Sequence, residues 1–267
     1  MNRPTIEGCR AKADRAEAAI EEMGTEWRAW VDSNPYPSRI AADTNTGQYC
    51  VYFDFSGATI PLEFPVRVGE IAHDLRSALD HLVWREAVEL LGHRPTKKEG
   101  ALSLQFPIFR SRKKFVAYRQ SKGNGFVGPD AWTIIERYQP YDRGKPKRSK
   151  GLELLAWINN MDKHRFIHGS SVWLGFFNPL RMIDFNPEAR LVAAPLKPDV
   201  QSRPLKRDTE VACFQFDPNG PEPNVIVNRT PPLNISLGKA PRYIRSMSLE
   251  ATLAEIRKVI DDFATLI

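Results

Sequence analysis

The sequence predicts an α+β protein, and three observations predict it. Apolar residues recur at the 3.6-residue spacing of amphipathic helices in four segments, 5–32, 67–91, 149–166 and 240–266. A segment near 37–55 alternates apolar and polar residues around Asn45-Thr46-Gly47, as a β-hairpin does. Residues 170–236 contain short β-branched and aromatic runs separated by prolines and turns, a texture typical of an antiparallel β-meander.

These segments have recognisable ends. The first helix stops at Asn34-Pro35, because proline lacks the N–H that a continuing helix needs, and the central helix stops at Gly92. Two shorter helices are predicted near 111–120 and 129–137. Neither terminal helix can bury its apolar stripe alone. We therefore predict that the four long helices form one bundle within a single domain spanning 1–267, with the β segments as insertions.

The composition is that of a globular protein without membrane spans. Of the 267 residues, 42% are hydrophobic and 26% are charged, and no apolar run approaches the ~20 residues that cross a bilayer. The amino-terminal residues resemble a charged helix more than a signal peptide. Cys9, Cys50 and Cys213 are odd in number and widely spaced, which argues against a disulfide framework. We therefore expect a cytoplasmic protein with no cofactor and no membrane contact.

Positive charge is concentrated in the segment 110–150. This segment holds twelve lysines and arginines against three acidic residues, a net charge of +9 in a chain whose total is +6. Such a segment indicates a polyanionic partner, most simply RNA or DNA, although a solvated loop is the alternative. Aromatic residues lie among the cations, and we expect Phe115 and Trp132 to serve the core. The predicted RNA-binding residues are Arg112, Lys113, Lys114, Arg119, Lys122, Lys145, Lys147, Arg148 and Lys150.

The side of the central helix opposite its apolar face gathers titratable residues. At 100° per residue, this side holds His73, Asp74, Arg76, Asp80 and His81, with Trp84 among them. A merely solvated face seldom carries so many such residues, so we expect a ligand or partner there. Arg76 and His81 lie about 140° apart on one straight helix. Two copies related by a twofold axis could supply complementary pairs, which favours a dimer.

The spacing Arg76-x4-His81 resembles the R-x4–6-H motif of HEPN (higher eukaryotes and prokaryotes nucleotide-binding) domains. These are helical-bundle proteins, many of which are metal-independent ribonucleases of defence and toxin–antitoxin systems, and their motif residues commonly meet at a dimer interface. The resemblance implies that Arg76 stabilises the scissile phosphate and that His81 moves protons. It also implies an RNA substrate, a homodimer and an antitoxin or other protein partner. Ser77 departs from the Asn, Asp or His that often follows the family's arginine.

The chemistry of RNA cleavage suits these two residue types. RNA carries its own nucleophile, the 2′-hydroxyl, so an enzyme needs a base that works near pH 7 and positive charge for the phosphorane. Histidine has an ordinary pKa near ~6.5, and general acid–base help is typically worth about 10²–10⁴-fold. Arginine can donate to two phosphate oxygens at once.

A second polar cluster ends the 149–166 helix. We predict that Asp162, His164 and Arg165 pack against the central helix, where they orient an imidazole or enlarge a phosphate pocket. His73 and Asp80 are the other predicted supporting residues. The alternative is that the cations of this cluster simply match the negative end of the helix dipole.

Three other interpretations stay open at this point. Arg76 and Asp80, at positions i and i+4, could form an ordinary surface ion pair. The polar face of the central helix could be the subunit or partner interface of a non-enzymatic interaction protein. A metal-dependent hydrolase could use the imidazoles and carboxylates, but the chain has no H-E-x-x-H and no CxxC motif, so no metal site is predicted.

Overall fold

Helices and antiparallel strands are both present in the computed structural model, which confirms the α+β prediction. The described residues are 5–33, 36–57, 60–98, 104–123, 125–141, 150–164, 171–174, 178–196, 207–230, 233–236 and 248–266. They belong to two compact units. Unit 1 comprises Met1–Met23, Pro65–Ile167 and Lys239–Ile267, and unit 2 comprises Gly24–Phe64 and His168–Gly238. That all 267 residues act as a single domain stays a prediction.

The helices lie close to where periodicity places them. They are α1 (Ile6–Ser33), α2 (Glu63–Leu91), α3 (Arg112–Tyr118), α4 (Pro129–Arg137), α5 (Lys150–His164) and α6 (Leu249–Ala264). The central helix α2 begins four residues before the predicted start, and a π-helical turn, Arg119–Gly123, follows α3. The predicted helical residues 149, 165–166 and 240–247 lie outside the described part of the chain.

The core of unit 1 is made by the apolar faces of its long helices. Its most buried members on α2, α5 and α6 include Leu75, Leu79, Leu82, Leu152, Leu155, Ile158, Ile256, Ile260 and Phe263. Ser248 caps α6, because its hydroxyl accepts the N–H of Ala251 at 3.2 Å. Charged pairs join α1 to its neighbours: Arg257 of α6 contacts Asp14 and Glu17 at 2.7 Å each.

Unit 2 contains the strands, and every described pairing is antiparallel. The strands are β1 (Ser38–Asp43), β2 (Gln48–Phe53), β3 (Ser171–Leu174), β4 (Ile183–Asp184), β5 (Leu191–Leu196), β6 (Thr209–Phe216), β7 (Ile226–Val227) and β8 (Leu233–Ser236). The first hairpin joins β6 and β5 in one sheet of order β1-β2-β6-β5. The remaining strands pair in a nested way, β3 with β8 and β4 with β7, instead of with their sequence neighbours.

The two faces of the four-stranded sheet differ in polarity. One face is buried and carries Tyr49, Val51, Phe53, Ala212, Phe214 and Phe216. The other face carries half-buried polar side chains such as Tyr52 and Glu210. The β2–β6 register shifts between Val51 and Tyr52, so that β6 contains one extra residue there.

Cys50 and Cys213 form a disulfide between β2 and β6, so the expectation from cysteine spacing is wrong for this pair. The two residues are register partners with Cα atoms 4.0 Å apart. They are separated by 163 residues in sequence, and the pairing of β2 with β6 brings them together. Cys9 is a buried free cysteine in unit 1.

Candidate functional site

Arg76 and Asp80 of α2 form a partly buried ion pair that also binds the backbone of Phe106. Nη2 of Arg76 lies 2.9 Å from Oδ1 of Asp80, and Nε of Arg76 donates to Oδ2 at 3.2 Å. Nη2 also donates to the carbonyl oxygen of Phe106 at 2.7 Å, and Oδ1 of Asp80 accepts the N–H of Phe106 at 2.8 Å. The pair between positions i and i+4 is confirmed, but it is partly buried and not the surface ion pair that the spacing suggests. We call the arrangement of Arg76, Asp80 and Phe106 the Phe106 clamp.

The Phe106 clamp supplies backbone hydrogen bonds to an extended segment, 104–109. This segment pairs with no strand in the described part of the chain. Gln139, itself buried, accepts the N–H of Phe109 at 2.8 Å and donates to the carbonyl of Pro107 at 2.7 Å. A buried backbone group left without a partner costs about 1–3 kcal/mol. Side chains therefore supply the hydrogen bonds that a neighbouring strand would supply. The side chain of Arg76 is only 12% exposed and is largely occupied within its own chain.

His81 is half-buried, five residues beyond Arg76 on α2. Burial lowers the pKa of His81, the nearby charge of Lys12 lowers it further, and Asp80 opposes the shift. The lowered pKa favours the neutral imidazole, in which one ring nitrogen can accept a proton. This is the protonation state that a general base requires.

Sequence reasoning misses two cations in the neighbourhood of His81. Arg85 is four residues further along α2, so it shares the His81 side of the helix. Burial raises the pKa of Cys9 to about 11, and the charges of Arg85 and Lys12 oppose that rise. Nη1 of Arg85 is buried and has no hydrogen-bond partner among the described residues. We call Lys12, His81 and Arg85 the His81 cluster.

The local spacing could have revealed Arg85, because positions i and i+4 are neighbours on a helix. Lys12 lies on α1, 69 positions away from His81 in the printed sequence, and no local pattern links the two. Lys12 and Arg85 are residue types that bind anions, and histidine is the residue type that transfers protons near neutral pH.

Of the predicted supporting residues, the structure describes the side chains of His73 and Asp80. His73 is exposed on α2, and Asp74 is buried and bound by Nε of Arg15 at 3.0 Å. Asp80 belongs to the Phe106 clamp. The side chains of Asp162 and His164, and the whole of Arg165, lie outside the described residues. Their packing against the central helix stays a prediction.

Helix α3 presents two exposed lysines, Lys113 and Lys114, which we call the α3 lysine pair. No ion pair joins either lysine to an acidic residue in the described part of the chain. Two arginines next to them share one acid: Arg112 and Arg119 lie 3.8 Å and 3.9 Å from Glu136. The surface around α3 therefore carries an excess of positive charge.

Other members of the basic segment have structural contacts. Arg110 lies 2.7 Å from Glu153, a buried acid of α5. Phe115 and Trp132 are buried and in edge-to-face contact, which confirms that they serve the core. The guanidinium of Arg119 lies over the ring of Trp132, 5.5 Å from its centroid. Outside the described residues lie the side chains of Lys122 and Lys150 and the residues Lys145, Lys147 and Arg148.

Two of the carboxylates considered for a metal-dependent hydrolase, Asp74 and Asp80, are engaged by arginines. Asp74 binds Arg15 and Asp80 binds Arg76. Among the described residues, three metal-ligating side chains converge instead in unit 2, at Cys50, Glu210 and Cys213.

No family model, curated protein or solved structure matches the chain. Within the described residues, none of the helices combines the length and the hydropathy that a membrane span requires.

Proposed function

We propose that this protein binds RNA through contacts to the phosphodiester backbone, with the α3 lysine pair as the principal described contact. The proposal rests on one observation: Lys113 and Lys114 are exposed, and among the described residues no acid pairs with them, beside two arginines that share Glu136. Phosphate neutralisation by lysine and arginine releases condensed counterions, and this release drives sequence-independent binding. Phe115 and Trp132 are committed to the core, so base stacking on these two rings is not part of the proposal.

Fluorescence anisotropy with a labelled single-stranded RNA, repeated over a series of salt concentrations, tests this proposal. Each phosphate contact contributes a slope of about −0.7 to the plot of log affinity against log salt. The double variant K113Q/K114Q should bind more weakly, with a slope shallower by about 1.4. The matched control is K97Q/K98Q, which removes two other exposed lysines of unit 1.

Equal losses in both double variants would show that only net charge matters and would contradict the assignment to α3. No RNA binding by the unaltered protein would favour the non-enzymatic interaction protein, whose polar helix face contacts another protein.

Metal-independent RNA cleavage is the second candidate function, and the His81 cluster favours it. Neutral His81 would take the proton of the 2′-hydroxyl, while Arg85 and Lys12 would neutralise charge on the phosphate. Arg76, the arginine of the HEPN-like motif, is largely occupied by the Phe106 clamp, so the proposal assigns the phosphate contact to Arg85 and Lys12 instead. A HEPN-like homodimer in the cytoplasm, with an antitoxin or other protein partner, completes this proposal.

Cleavage is tested by incubating single-stranded RNA with the protein in excess EDTA and analysing the ends for cyclic phosphate. H81A should abolish cleavage and R85Q should slow it, whereas H93A, which removes an exposed histidine just after α2, should not affect it. Full activity in H81A would remove the mechanism. R76Q should lose activity only in proportion to the fraction of protein that unfolds.

A further inference from the structure

We propose that Cys50, Cys213 and Glu210 form a zinc site when the disulfide is reduced. The inference is independent of RNA binding, because these residues belong to unit 2 and the proposed RNA contacts belong to unit 1. One ligand atom from each of the three side chains lies within 4.8 Å of the others. Two thiolates and a carboxylate are ligands that zinc accepts, and a water molecule would complete four-coordination.

The bulge between β2 and β6 places Glu210 on the same face as the cysteines. Residues three apart on a regular strand point to opposite faces, which would separate Glu210 from Cys213. Here Cys50 pairs with Cys213 and Tyr52 pairs with Glu210, because the register shifts between them. Cys50 and Tyr52 are two residues apart and share a face. Glu210 and Cys213 therefore share it as well.

Further contacts hold the carboxylate in place. The hydroxyl of Tyr52 donates to Oε2 of Glu210 at 2.9 Å, and within the described part of the chain no hydrogen bond to Oε1 is seen. The guanidinium of Arg39 lies over the ring of Tyr52, 4.2 Å from its centroid, and its Nε donates to Asp208 at 3.0 Å. Outer contacts of this kind orient metal ligands and raise affinity.

Zinc can bind at this site only after the Cys50–Cys213 disulfide has been reduced. A dithiol reductant transfers two electrons and two protons to the Cys50–Cys213 disulfide, which becomes two thiols while the reductant becomes a disulfide. Zinc binding then displaces two protons, because the ligands are thiolates. In tetrahedral zinc the ligand atoms lie about 3.3–3.8 Å apart, given Zn–S near 2.3 Å and Zn–O near 2.1 Å. The two sulfurs must therefore separate by side-chain rotation, and a carboxylate oxygen of Glu210 must lie within that range of each sulfur.

Cobalt(II) is the probe for this site, because tetrahedral thiolate coordination gives it intense charge-transfer absorption. The experiment uses the full chain in a C9S background, so that Cys50 and Cys213 are the only thiols. Protein reduced with a phosphine should bind one cobalt per chain, and zinc should displace it. Protein oxidised with diamide should bind none. Elemental analysis after desalting gives the stoichiometry.

Four variants distinguish the proposed zinc ligands from residues that only surround them. C50S should abolish the charge-transfer band, E210Q should weaken binding by at least about 10-fold, and Y52F should weaken it by about 10-fold. E222Q, which changes an exposed glutamate of the same unit, should bind like its parent. Circular dichroism of each reduced variant establishes that it is folded. No cobalt binding by the reduced, folded parent would overturn the site, and unchanged affinity in E210Q would overturn the three-ligand assignment.

Discussion

At the scale of single residues, Arg76 is the position where structural and catalytic interpretations diverge. Its guanidinium holds Asp80 and the carbonyl of Phe106, and a hydrogen bond to a charged group is worth about 1.5–3 kcal/mol. R76Q should therefore lower the free energy of unfolding by about 2–3 kcal/mol, measured by urea denaturation.

The matched control for this prediction is R112Q, because Arg112 is exposed and lies 3.8 Å from its acid. An exposed pair of this kind contributes about 0–1 kcal/mol, so the control should change little. Equal stability losses in R76Q and R112Q would contradict the importance of the Phe106 clamp.

His81 should make the stability of the protein depend on pH. Its folded-state pKa is lowered, mainly by burial, so below the ordinary value near ~6.5 the unfolded chain binds a proton that the folded chain does not. The stability contributed by neutral His81 is complete above that value and is lost as the pH falls through the folded-state pKa. Between pH 7 and pH 5, the unaltered protein should lose more stability than H81N. Parallel urea titrations of the two proteins check this, and identical losses would contradict it.

At the scale of secondary-structure elements, two glycines with the same backbone angle should respond differently to alanine. Gly47 and Gly92 both have φ of +72°, a conformation that costs other residues about 1–2 kcal/mol. A Cβ at Gly92 would meet open space, whereas a Cβ at Gly47 would collide with the carbonyl oxygen of Phe216. The N–H of Phe216 also donates to the carbonyl of Gly47 at 2.8 Å.

G92A should therefore cost about 1 kcal/mol, and G47A should cost clearly more, because it adds a steric collision to the same backbone strain. Thermal unfolding of the two variants measures the difference. If G47A were no more destabilising than G92A, the close approach of β6 to the first hairpin would be in doubt.

Local patterns predict the helices well and the sheet poorly. Local patterns place α1 and α4 within one residue of their observed ends, because those signals lie within a few turns of chain. Which strand pairs with β2 depends on contacts between segments that are far apart in sequence. Sequence alone therefore misses β6 as its neighbour, and with it the cysteine pairing.

The same distinction between local and distant contacts applies to the candidate site. Spacing predicts the Arg76–Asp80 pair, since i and i+4 are neighbours on a helix. Spacing cannot predict that the backbone of Phe106 forms hydrogen bonds with both Arg76 and Asp80. The segment 104–109 reaches α2 only through tertiary packing. Lys12 is missed for the same reason, because its effect on His81 acts between two helices.

At the scale of the whole molecule, reduction of the Cys50–Cys213 disulfide should destabilise unit 2. The bond closes a loop across 163 residues, and in the chain-entropy description a closure of this length contributes up to about 5 kcal/mol. Adding a phosphine reductant to the C9S variant should lower the urea midpoint of unfolding. The C50S/C213S double variant should match the reduced protein and show no response to the reductant. An unchanged midpoint on reduction would contradict this expectation.

The covalent connection between β2 and β6 has a consequence for peptide-bond cleavage. Residues 65–167, most of unit 1, lie within the stretch of chain that the two sulfurs bridge. A protease that cuts once anywhere from 51 to 212 therefore produces two fragments that remain tethered. On a denaturing gel they should migrate as one band until a thiol is added, whereas a cut outside that interval should release its fragment at once.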